Sequence, residues 1–78
     1  MTLAEVPART AVLIHALALP PGERRRLTEL GLRDGARIEV LRRAPFGGPL
    51  ALRVGGALLA LRLAQAAQVT VRPEPADG

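Results

Sequence analysis

A single aromatic side chain, Phe46, serves the whole of this 78-residue chain, and there is no cysteine. A core must therefore be assembled from Leu, Val, Ile and Ala, with no disulfide and no thiolate zinc site to staple it. A chain of this size buries roughly 60% of its unfolded surface, so it holds one domain and no deep enzymatic cleft. Hydrophobic residues make up 49% of the sequence, too many for a disordered chain. A small closed β architecture or a tight helical hairpin remains.

Periodicity and punctuation favour the first. Residues 1–9 read as a flexible leader. Thr10 to Leu19 (TAVLIHALAL) is apolar on both alternations, as in a strand buried on two sides or a buried helix. Pro20-Pro21-Gly22 ends it, and Pro21 is suited to open a helix, where its missing N–H costs nothing. Leu27 and Leu30 share one face of that helix, Gly31 stands at the left-handed cap position, and Leu32 can fold back on the last turn. After the Asp34-Gly35 turn, ARIEVLRRA alternates, with Ile38 and Val40 on one face. Pro45 to Pro49 is a loop, LALRV alternates again, and Gly55-Gly56 can close a hairpin. Ala57 to Gln68 favours helix by its Ala and Leu content but strand by its position after Gly-Gly. A strand followed by one helical turn at Leu63–Ala67 satisfies both. VTVR is a last strand, and residues 73–78 are a polar, disordered tail. The reading is mainly β: a small barrel of about five strands over residues 10–72, with a short helix after the first strand.

Eleven basic residues, all Arg, stand against seven acidic ones, a formal charge of +4. The arginines are interleaved with Glu23, Glu29, Asp34 and Glu39, so attraction to an anionic partner is mild. A small basic barrel that reads nucleic acid stacks bases on aromatic platforms, and only Phe46 could serve. No nucleic acid is expected. The longest apolar run near the N-terminus, Ala11–Leu19, falls far short of the ~20 residues of a bilayer span, and no signal-peptide pattern precedes it. The expectation is a cytoplasmic chain without direct membrane insertion.

Catalysis and metal binding are not expected either. His15 is the only histidine, the acidic residues form no ligand-spaced cluster with it, and there is no serine. The glycine pairs are turns and not phosphate cradles. Arg24-Arg25-Arg26 point about 100° apart on a helix, so they make no single patch. The sequence implies no enzyme, no metal site and no cofactor.

The order of elements resembles the FeoA family, a small component of bacterial ferrous iron uptake. The likeness runs from about Thr10 to Arg72. Leu27-Thr28-Glu29-Leu30-Gly31-Leu32-Arg33-Asp34-Gly35 is similar to the family's helix end, with Asp34 where proline is usual. Ala44-Pro45-Phe46-Gly47-Gly48-Pro49-Leu50 is similar to its hairpin loop, and Leu59-Ala60-Leu61-Arg62 to its hydrophobic-Ala-Leu-Arg segment. Leu63, Ala64 and Gln65 depart from it, since Lys and an acidic residue are usual there. The resemblance implies an SH3-like β-barrel acting as an adaptor on the cytoplasmic GTPase region of FeoB, the membrane ferrous-iron transporter. Peripheral attachment to the inner membrane would follow through that partner. The same barrel ends iron- and manganese-dependent repressors, so a regulatory interaction module is the alternative, with a nucleic-acid-binding barrel third.

Partner contact is expected at Leu30 and Leu32 on the helix end, and at Pro45, Phe46 and Pro49 in the loop, all apolar and read as exposed. Arg62, at a recurrent family position beside Leu61, joins them, with a structural hydrogen bond as its other role. Strand edges and apolar loops also leave self-association open.

Overall fold

A computed structural model describes residues 1–75. Its elements run β1 (Thr10–Leu17), α1 (Pro21–Glu29), β2 (Arg37–Arg43), β3 (Leu50–Val54), β4 (Ala57–Leu61), α2 (Leu63–Ala66) and β5 (Val69–Pro73). The strands make one antiparallel sheet in the order β4-β3-β2-β1-β5. This is the expected mainly β chain with a helix after the first strand, although among the described residues no ladder joins β4 to β5.

Alternation decides which face is inside. Val12 and Ile14 of β1, Ile38 and Val40 of β2, Leu50, Leu52 and Val54 of β3, and Val69 and Val71 of β5 are all buried. Single-residue bulges at His15 in β1 and Leu41 in β2 shift the register. Such insertions bend and twist a ladder, which curls this sheet around its aliphatic core. Ala57–Gln68 resolves as a five-residue strand and one helical turn, because the Gly55-Gly56 hairpin holds Ala57–Leu61 in register against β3. Only Gly55 takes a positive φ (59°), the requirement of a type II′ turn at its first central residue.

The N-terminus is not the expected leader. Leu3–Glu5 forms a 3₁₀ turn, and Leu3 and Val6 are fully buried. The Val71 N–H donates to the Met1 carbonyl (2.9 Å), Thr2 bridges Thr70, and the Arg43 Nη1 donates to the Val6 carbonyl (2.8 Å). Residues 1–6 thus line the outer edge of β5 and close the core from below. At the other end, Pro73 belongs to β5, and the Glu74 carboxylate accepts from Arg37 Nε (3.0 Å), so the domain extends past residue 72. The rest of the expected tail, residues 76–78, lies outside the described residues.

Candidate functional site

The expected contact residues begin at the end of α1. Here the Gly31 N–H donates to the Thr28 carbonyl (3.0 Å) and the Leu32 N–H to the Leu27 carbonyl (3.0 Å), with Gly31 at φ 109°. This pair of bonds is a Schellman motif, which reverses the chain and folds the following residue onto the last turn. Leu32 is accordingly buried beside buried Leu27, and the expectation that it faces a partner is corrected. Leu30, two residues earlier, stays 45% exposed.

The β2–β3 loop holds the next three. The Gly48 N–H donates to the Pro45 carbonyl (3.2 Å), with Phe46 at φ 59° and Gly47 at φ 75° between them. Two successive positive φ values inside that bond describe a type I′ turn, whose central positions favour Asn, Asp or Gly. Phe46 occupies the first of them, a conformation rare for a bulky side chain, and is fully exposed. Gly48 has no room for a side chain: a Cβ there would lie 2.6 Å from Ala44 Cβ and 3.2 Å from the Pro45 carbonyl oxygen. Pro45 and Pro49 are both exposed and flank this tip.

Two hollows connect loop and helix. One, of about 360 Å³, lies between α1 and β4 and is lined by Leu27, Leu30, Leu59, Ala60, Arg62 and Gln65, among others. The second, of about 170 Å³ and almost wholly apolar, is lined by Arg42, Ala44, Pro49, Leu50, Ala51 and Ala60. Ala60 belongs to both. The structure therefore places Leu30 and Arg62 on one hollow and Pro49 on the other, meeting at Ala60, whereas Pro45 and Phe46 line neither. Arg62 is exposed; its Nη2 stands 3.9 Å from Glu23 Oε1, which accepts a shorter bond from Gln65 Nε2 (3.0 Å). Its side chain is thus held loosely.

Sequence reasoning missed Leu58, which is 72% exposed on the outer face of β4. The signal was present in the register: Leu58 pairs with outward-facing Arg53, so it cannot share the inner face with Leu59 and Leu61. His15 is exposed on its bulge. Among the described residues no group of three His, Cys, Asp or Glu could hold a metal, and no polar or charged residue is buried. What the surface offers chemically is apolar contact edged with guanidinium groups.

A curled five-stranded sheet with a capped helix after its first strand, an apolar loop tip and shallow grooves defines a small SH3-like domain. The family model of the FeoA domain matches residues 1–73, and the chain belongs to that family. FeoA from Chlorobium tepidum superposes with a TM-score of 0.91 at 38% identity, covering 100% of this chain and 74% of that one. FeoA from Stenotrophomonas maltophilia, solved with zinc and described as a prokaryotic SH3 domain protein in connection with ferrous iron transport, gives 0.78 at 35%, covering 91% and 88%. A manganese-dependent transcriptional repressor shares the fold, with a TM-score of 0.84 at 19% identity over 95% of this chain and 41% of that one. No curated protein matches the sequence.

Among the described residues no helix is long and apolar enough to cross a membrane.

Proposed function

We propose that this chain is a non-catalytic, cytoplasmic accessory protein of ferrous iron uptake that binds the GTPase region of an FeoB-type transporter and supports its transport or nucleotide cycle. Family membership supports the pathway. The observation that carries the binding role is Phe46: the chain's one aromatic residue is held in a left-handed conformation at a turn tip, with its side chain fully exposed. Strain of this kind costs on the order of 1–3 kcal/mol and concentrates at functional positions. Aromatic side chains also dominate the energetic centres of interfaces. Phe46, with Pro45, Pro49 and Leu30, supplies the apolar centre of the contact, and Arg62 supplies a charged rim. Leu32 supports the site from beneath and makes no contact.

Binding of the full chain to the transporter's soluble domain, measured in each nucleotide state, tests this. Phe46→Ala should weaken binding at least tenfold while its unfolding curve stays that of the wild type. Unchanged binding by that variant and by Leu30→Ala would remove the assignment.

A second reading, a regulatory interaction module, draws support from the fold shared with the manganese-dependent repressor, and from the fold alone. A transporter domain that fails to bind in any nucleotide state would favour it.

A further inference from the structure

The two ends of the sheet are finished differently. The outer edge of β5 is covered, since Met1 accepts the Val71 N–H and Thr2 bridges Thr70. Among the described residues β4 has a ladder partner on one side only, β3, and no other backbone bond reaches Ala57–Leu61. Proteins blunt such edges with charges, prolines or bulges. This edge has none: Ala57-Leu58-Leu59-Ala60-Leu61 is uncharged, and its register with β3 is unbroken from Val54↔Ala57 to Leu50↔Leu61.

From these features we infer that β4 is a homodimerisation edge, pairing antiparallel with β4 of a second copy about a twofold axis at Leu59. The hairpin fixes which groups are free. In a two-residue turn the flanking residues, Val54 and Ala57, exchange hydrogen bonds, so Leu59 and Leu61 also face β3. The N–H and C=O groups of Leu58 and Ala60 therefore point away from the sheet. A twofold axis at Leu59 sets Leu58 opposite the partner's Ala60 and the reverse, forming four hydrogen bonds and pairing all five residues. An axis at Leu58 or at Ala60 forms only two. An axis between residues would set outward side chains against inward ones.

Side chains agree with this register. On the outer face the exposed Leu58 lies beside the partner's small Ala60, which lines the partner's apolar hollow. Each row then reads Glu39, Arg53, Leu58, followed by the partner's Ala60, the partner's Ala51 and the partner's Arg42, so no like charges meet at the seam. On the inner side a hollow of about 360 Å³ separates β4 from α1. Five residues a side are far fewer than the roughly 20–30 of a standard interface, so the dimer is weak: monomer near ~10 µM and largely dimer near ~1 mM.

Sedimentation of the full chain across that range, together with amide exchange, tests the inference independently of any transporter. The wild type should approach twice the monomer mass, with slowed exchange at Leu58 and Ala60 appearing only at high concentration. Leu58→Lys, at an exposed position, should stay monomeric at every concentration with an unchanged circular dichroism spectrum. Ala60→Pro, which removes one outward N–H at a position where an edge strand tolerates proline, should do the same. A wild type that stays monomeric at ~1 mM overturns the inference. So does association that survives Leu58→Lys, or that protects amides elsewhere.

Discussion

A Cβ built on Gly31 would lie 2.9 Å from Cγ1 of Val54, which sets the end of α1 hard against the hairpin end of β3. Gly31 also takes φ 109°, a conformation L-residues rarely adopt. Two demands thus meet at one residue, a left-handed cap and a close approach to β3. Gly31→Ala should cost ~2–4 kcal/mol, from backbone strain together with crowding against Val54. Urea unfolding measures it, and a cost under ~0.5 kcal/mol would mean that neither demand operates.

Leu32 and Leu30 flank that glycine and should respond in opposite ways. Leu32 is fully buried by the Schellman reversal, so Leu32→Ala leaves a cavity and should lose ~2–5 kcal/mol. Leu30 is partly exposed, so Leu30→Ala should change stability by less than ~1 kcal/mol and report on partner binding instead. Similar losses for the two variants would contradict the cap geometry.

The same pair shows how far the sequence could be read. Gly31 followed by Leu32 carried the cap, and the cap implies burial of Leu32, yet an apolar residue beyond a helix end also reads as exposed surface. Alternation in ARIEVLRRA and LALRV named the inward residues correctly because a period of two needs only local information. Leu3 and Val6 could not be found that way. Two apolar residues three apart among Glu and Pro have no period, and their burial depends on bonds from Val71 and Arg43, dozens of residues away. The site was partly legible. Phe46 stood out as the lone aromatic, and the outward face of Leu58 was readable from the Gly55-Gly56 hairpin, whereas the strained turn at Phe46 and the free edge of β4 depend on the folded sheet.

Phe46 gives a prediction about stability that runs against its size. Its side chain is fully exposed, and its backbone sits at φ 59°. Replacing an exposed phenyl group by Gly removes no core contact and relieves the left-handed strain, partly offset by greater freedom of the unfolded chain. Phe46→Gly should therefore raise stability by about 0.5–1 kcal/mol while abolishing partner contact. Thermal unfolding of the two proteins side by side checks it. A clear loss of stability would show that Phe46 is used within the fold.

Glu5 ties the N-terminal turn to acidity. Its Oε1 accepts the Thr2 backbone N–H (2.9 Å) and the Thr2 hydroxyl (3.2 Å). The backbone bond first, then the hydroxyl, holds its carboxyl below the ordinary glutamate range. A carboxyl depressed in the folded state stabilises fully above its unfolded pKa, and that stabilisation disappears as pH falls through the folded value. Glu5→Gln should thus be less stable than the wild type at neutral pH, with the two converging in acid below the folded pKa. Because Thr2 bridges Thr70 and Met1 receives Val71, the loss should appear first as faster amide exchange at the outer edge of β5. Parallel stability curves for the two proteins across that pH range would show that this carboxylate does not hold the turn.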